Sequence, residues 1–189
     1  FLLTVFNVRL GHWCGDTVKG KNAWPLRDPI LGLRYWYTEL MGSADQDYPF
    51  VSLSDGGHFE NLGIYELVRR RCALIVASDA GADPKYAFED LAEAIRKCYT
   101  DFGVDFDFAD DGVEAIRPEG DKPSKRHYAL ARILYPDGAP GTLVYWKASI
   151  TGGMPPDIMH YKRMMNDFPH QSTADQFFDE SQFESYRNL

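Results

Sequence analysis

Two short apolar runs, each closed by an aspartate, bracket a helix-forming stretch and limit what this chain can fold into. The first is Phe50-Val51-Ser52-Leu53-Ser54, ending in Asp55 and followed at once by Gly56 and Gly57. The second is Ala73-Leu74-Ile75-Val76-Ala77, ending in Asp79. Between them, Asn61 to Arg71 reads as a helix: Glu60 and Asn61 suit its electropositive start, and Arg69, Arg70 and Arg71 suit its electronegative end. Strand, helix and strand within about 30 residues make a βαβ unit, which requires parallel strands and a right-handed crossover. Both aspartates are then expected on one sheet edge, where open α/β sheets place their chemistry.

The rest of the chain fits an α/β protein. Phe88, Leu91, Ala92, Ile95, Cys98 and Tyr99 repeat at helical spacing, which makes Cys98 a core residue. Val104, Phe106 and Phe108 alternate with Asp105 and Asp107, the pattern of a half-buried strand, and 113–116 reads as a further strand. His127 to Tyr135 and Thr142 to Lys147 form a hairpin across a Pro/Gly turn. The expected fold is a mainly parallel sheet with helices on both faces and this antiparallel hairpin at one edge. Residues 118–126 read as a disordered polar loop. Helices are expected over Leu33–Leu40, over Asp157–Asn166 and from Thr173, with Gln176 completing a capping box.

With 189 residues and 44% hydrophobic content, the chain is a single domain or a large piece of one. Four blocks divide it: an irregular and helical lead-in (1–47), the βαβ block (48–100), a β-rich edge (101–150) and terminal helices (151–189). A net charge of −8 argues against a nucleic-acid surface. Three scattered cysteines make neither a disulfide framework nor a metal knuckle and suit a reducing compartment. No run of about 18 apolar residues is present. The apolar opening 1–8 reads as the tail of an element begun upstream, so a fragment of a longer protein is expected.

Asp55-Gly56-Gly57 at a strand end, its following helix, and Ala77-Ser78-Asp79-Ala80-Gly81-Ala82-Asp83-Pro84 resemble the C-terminal half of the bacterial patatin-like phospholipases, a group related to the cytosolic phospholipases. Phe168-Pro169-His170-Gln171-Ser172-Thr173-Ala174-Asp175-Gln176-Phe177-Phe178 resembles the end of the large bacterial members. The resemblance implies a Ser–Asp dyad with Asp55 as base, Gly56 and Gly57 as the supporting turn, and His58, Asp79 and Asp83 as tuning or substrate-contacting residues. It implies a lipid or phospholipid substrate, no cofactor and no metal, and a place in the cytoplasm or at the cytoplasmic face of a membrane. The family's Gly-x-Ser-x-Gly nucleophile turn does not occur in these residues. The serine is therefore expected in an upstream half of the same polypeptide, and this chain alone is expected to be inactive.

On neighbouring strands, Asp55 and Asp79 would lie roughly 8 Å apart and repel by about 2 kcal/mol at an effective dielectric near 20. That repulsion would raise the base. Three other readings stand beside this one. Asp55 is an N-cap of the following turn; the chain is a non-catalytic interaction or regulatory module of a membrane-associated protein; or His58, Glu60, Asp79 and Asp83 hold a metal.

Overall fold

A computed structural model describes residues 12–17, 29, 32–43, 47–120, 122–175 and 177–189. Its fold is mixed α/β. Two compact units divide the chain, Phe1–Phe59 and Glu60–Leu189.

In the first unit, strand β1 (His12–Gly15) pairs antiparallel with β2 (Phe50–Leu53), and helix α1 covers Gly32–Leu40. Tyr35 of α1 is buried, with its ring centroid 5.1 Å from Trp13 and 5.2 Å from Phe50. The helix expected over Leu33–Leu40 is present, yet only Tyr35 of its aromatic run enters a core; Leu33, Trp36 and Tyr37 are exposed. Much of the lead-in, and the apolar opening with it, lies outside the described residues.

The second unit holds a four-stranded sheet in the order β3 (Leu74–Asp79), β6 (Pro140–Lys147), β5 (Tyr128–Leu134), β4 (Asp105–Phe108). This corrects two expectations. First, β2 and β3 belong to different sheets, so the block 50–79 is not a βαβ unit. Second, the sheet is mainly antiparallel: only β3 and β6 run parallel. The hairpin β5–β6 forms as expected but sits inside the sheet, because β6 also pairs with β3 and β5 with β4.

Alternation along β3, β5 and β6 explains the layering. Ile75, Ala77, Ala129, Ala131, Ile133, Leu143 and Tyr145 point to one face and are buried. Helices α2 (Ile64–Arg69) and α3 (Glu89–Phe102) cover that face through Ile64, Val68, Leu91, Ala94 and Cys98. The opposite face shows Leu74, Val76, Leu130 and Trp146 exposed, so the cover of helices expected on both faces is seen on one face among the described residues of this unit. Cys98 is a core residue, as its spacing implies, and burial pushes its thiol up to about 12.

Local chemistry sets the element ends. Helix α2 starts later than Asn61 because Gly63 takes a left-handed φ of 70°. Glu60 then accepts from the backbone N–H of Leu62 (2.5 Å) and Tyr65 (3.2 Å), satisfying donors that a helix start leaves open. The strand expected at 113–116 is a 3-10 turn, Gly112–Ala115, which buries Ala115 and Ile116 without ladder partners. The polar loop 118–126 is pinned through its described residues: Glu119 bridges Lys122, Ser124 bridges Thr151, and Ser124 is buried. Helix α4 spans Pro156–Met164. Instead of starting at Thr173, the last helix, α5, spans Glu180–Arg187 and is capped by Asp179, which accepts from Gln182 N–H at 2.8 Å; Gln176 lies outside the described residues.

Candidate functional site

Asp55 leaves β2 in an extended backbone (φ −69°, ψ 163°), and Gly56–His58 form one 3-10 turn. Its Oδ1 accepts from Gly57 N–H at 2.9 Å, so the N-cap reading is realised. The cap engages one oxygen only. The residue is exposed, and Oδ2 has no partner among the described residues. Among the described residues, nothing lies within 4 Å of where a Cβ on Gly56 would stand. His58 closes the turn through its backbone N–H to Asp55 O and is exposed.

Asp79 stands elsewhere in the fold, in the Glu60–Leu189 unit. Inward parity on β3 buries its side chain to 4% exposure, and register pairs it with Lys147, the last inward position of β6. Lys147 Nζ donates to Asp79 Oδ2 at 2.9 Å, Tyr145 Oη donates to the same oxygen at 2.5 Å, and Gly81 N–H donates to Oδ1 at 2.8 Å. A Cβ at Gly81 would stand 3.1 Å from Asp79 Oδ1, which is why a residue without one suits this approach. Burial, then the Asp79 hydrogen bond and charge, drive the Tyr145 phenol far above its ordinary value, so it remains a donor. The adjacent-strand premise for Asp79 raising Asp55 does not hold, and the Asp79 charge is balanced by a buried ammonium.

Asp83 organises the loop that follows. Its two oxygens accept from Ala87 N–H (2.8 Å) and Phe88 N–H (2.9 Å), and Lys147 Nζ lies 3.8 Å away. Burial pushes its carboxyl up, but these donors and the Lys147 charge outweigh that and leave it below its ordinary value. The hydrogen bonds hold Tyr86 and Phe88 at positive φ (51° and 54°), a conformation costing about 1–3 kcal/mol each for such side chains. His170 closes the group: its Nδ1 accepts from Asp83 N–H at 3.4 Å, and its ring stands edge-on to Tyr86 at 4.7 Å. Two clefts, about 490 and 480 Å³, open beside Asp79; Lys147, Trp146 and Phe178 line the first, and Asn61, Gly81 and Asp90 the second.

The structure thus brings Asp79 and Asp83 together and adds Tyr145, Lys147 and His170, which sequence reasoning did not select. One signal was available for Lys147. A lysine at the inward parity of an apolar strand needs a buried anion, and Asp79 is the one acid at inward parity on β3. No family model matches the chain, and no curated protein or solved structure matches it. No helix among the described residues is long and apolar enough to cross a membrane.

Acidification should test the buried histidines. Burial lowers the pKa of His170 and of His127, whose ring bonds Ser149 and Thr151. Below the unfolded-state value of 6.5, the unfolded chain then binds more protons than the native one, so stability falls as pH falls. Melting temperature is expected to drop between pH 7.5 and 5.5. The double variant His127→Gln/His170→Gln should flatten that limb, and an unchanged slope would show that other groups control it.

Proposed function

We propose that this chain is the C-terminal portion of a patatin-like lipid acyl hydrolase and supplies the aspartate of a Ser–Asp dyad. The observation that carries the reading is the placement of Asp55. It is an exposed carboxylate at a strand end, beside two glycines, with one oxygen steadied by a backbone N–H and the other without a partner among the described residues. In the proposed reaction, a serine upstream of these residues passes its proton to Asp55 Oδ2 and attacks the ester carbonyl of a lipid or phospholipid. The alcohol leaves with a proton, and water then hydrolyses the acyl-enzyme. No cofactor enters that chemistry. The place of action we assign is the cytoplasm or the cytoplasmic face of a membrane.

The Gly57 hydrogen bond favours a second reading, a non-catalytic interaction or regulatory module, in which Asp55 is a cap and nothing more. A serine-directed fluorophosphonate separates the two. The complete reading frame should be labelled at a Gly-x-Ser-x-Gly serine, and the 189-residue chain should not. An unlabelled complete protein favours the module. Labelling of the short chain alone would place the nucleophile within it and overturn the dyad as drawn.

A further inference from the structure

The face of the four-stranded sheet turned away from α2 and α3 is apolar and uncovered among the described residues. Register sets its side chains in rows across β3, β6 and β5. The middle row is Val76, Val144 and Leu130. The row toward the ends of β3 and β6 is Ser78, Trp146 and Tyr128, and the row on the other side is Leu74, Thr142 and Arg132. Leu74 is 63% exposed, Val76 58% and Trp146 55%; Tyr128, Leu130 and Leu134 are exposed with them. Among the described residues of these strands, charge on this face is confined to the β4 margin, where Arg132 donates to Asp107 and Asp105 stands beside Leu134. The apolar side chains present roughly 600 Å², the top of what a typical monomer shows, so the patch reads as a contact surface.

The order of the rows fits a second copy of the same face. A two-fold axis lying along the middle row brings Val76, Val144 and Leu130 against their own counterparts. Residues two places either side of that row then exchange: Trp146 meets Thr142, Tyr128 meets Arg132, and Leu74 meets Ser78. Two of these pairs set a large side chain against a small one, and the third sets a guanidinium against an aromatic ring, which attracts it. Such a self-match is what an isologous interface requires. Sheets of equal twist pack face to face with their strands within about 30° and about 10 Å between them. Two copies would bury about 1,200 Å² of apolar surface, the lower end for a specific interface. A lipid surface fits less well, because Arg132 is already paired with Asp107 and the chain carries a net charge of −8.

We infer that the chain forms a two-fold dimer in which the exposed faces of β3, β6 and β5 pack on each other. The dimer uses nothing of the Asp55 turn and stands or falls apart from the hydrolase reading.

Sedimentation velocity of the 189-residue chain tests it. A monomer–dimer equilibrium is expected, with dimer prevailing at about 100 μM and monomer at about 0.1 μM, since an interface of this size holds with about micromolar affinity. Val76→Lys sets two ammonium groups against each other at the axis and should weaken association by about a hundredfold or more. Trp146→Ala removes the largest side chain of the face and should weaken it by about tenfold or more. Tyr99→Lys, at an exposed position on α3, should leave it unchanged. Circular dichroism of each variant should match that of the parent, and Trp146→Ala decides the matter if Val76→Lys fails to fold. A chain that stays monomeric at the higher concentration overturns the inference; cosedimentation of that monomer with phosphatidylcholine vesicles would assign the face to lipid. A dimer that survives Val76→Lys and Trp146→Ala overturns it too, as does loss of the dimer in Tyr99→Lys or association beyond the dimer.

Discussion

Lys147→Met is expected to lower the stability of the Glu60–Leu189 unit by about 3–5 kcal/mol, the usual cost of breaking a buried ion pair from one side. Methionine fills much of the lysine's volume, so packing loss is small. What remains is the Asp79 carboxylate, 4% exposed, with Tyr145 and Gly81 as donors and no cation in contact. The double variant Asp79→Asn/Lys147→Met should recover at least half of the loss, since no unpaired charge is then buried. Urea unfolding of the three proteins at neutral pH checks this. A single-variant loss below about 1 kcal/mol would mean that the pair is not buried as described.

Asp55→Asn in the complete protein is expected to lower kcat by about 10²–10⁴, the range for removal of a general base. The substitution is informative because it separates the two roles of this residue. Asparagine caps a turn as well as aspartate does, so the hydrogen bond to Gly57 N–H survives and stability should move by no more than about 0.5 kcal/mol. Asp55→Ala removes both roles and should cost about 1 kcal/mol in addition to activity. If the Asn variant keeps full kcat while the Ala variant only melts earlier, Asp55 is a cap, and the module reading replaces the hydrolase.

Particular residues show how far the sequence could be read. Leu91 and Cys98 could be assigned to a helix core because their spacing is local to one element, whereas Ala92 and Tyr99 of the same set are exposed and Ala94 takes the inward place. The acids Asp105 and Asp107 could be placed outward beside buried Phe106 for the same reason. The hairpin β5–β6 was legible from its turn. The expected βαβ unit failed because two apolar runs and a helix look the same whether the strands are neighbours or lie in separate sheets. The partner of β2 is β1, from residues carrying no strong strand signal. At the candidate site, Asp55, Asp79 and Asp83 stood out as acids next to glycines and strand ends. His170 stands 87 positions from Asp83, and nothing in local patterning joins them.

Periodicity, turn chemistry and capping acids act over a few residues, so the sequence by itself determined β2, β3, the helix Glu89–Phe102 and the hairpin β5–β6, but not β1, the turn Gly112–Ala115 or the start of the last helix. It also determined that acids would close β2 and β3. The tertiary structure alone decided which strands pair, that β3 lies beside β6, and that Asp79 faces an ammonium and not a second carboxylate. Those outcomes depend on burial and register summed over the whole fold. A carboxylate that looks free in the sequence becomes half of an ion pair once a strand more than sixty residues later lays a lysine against it.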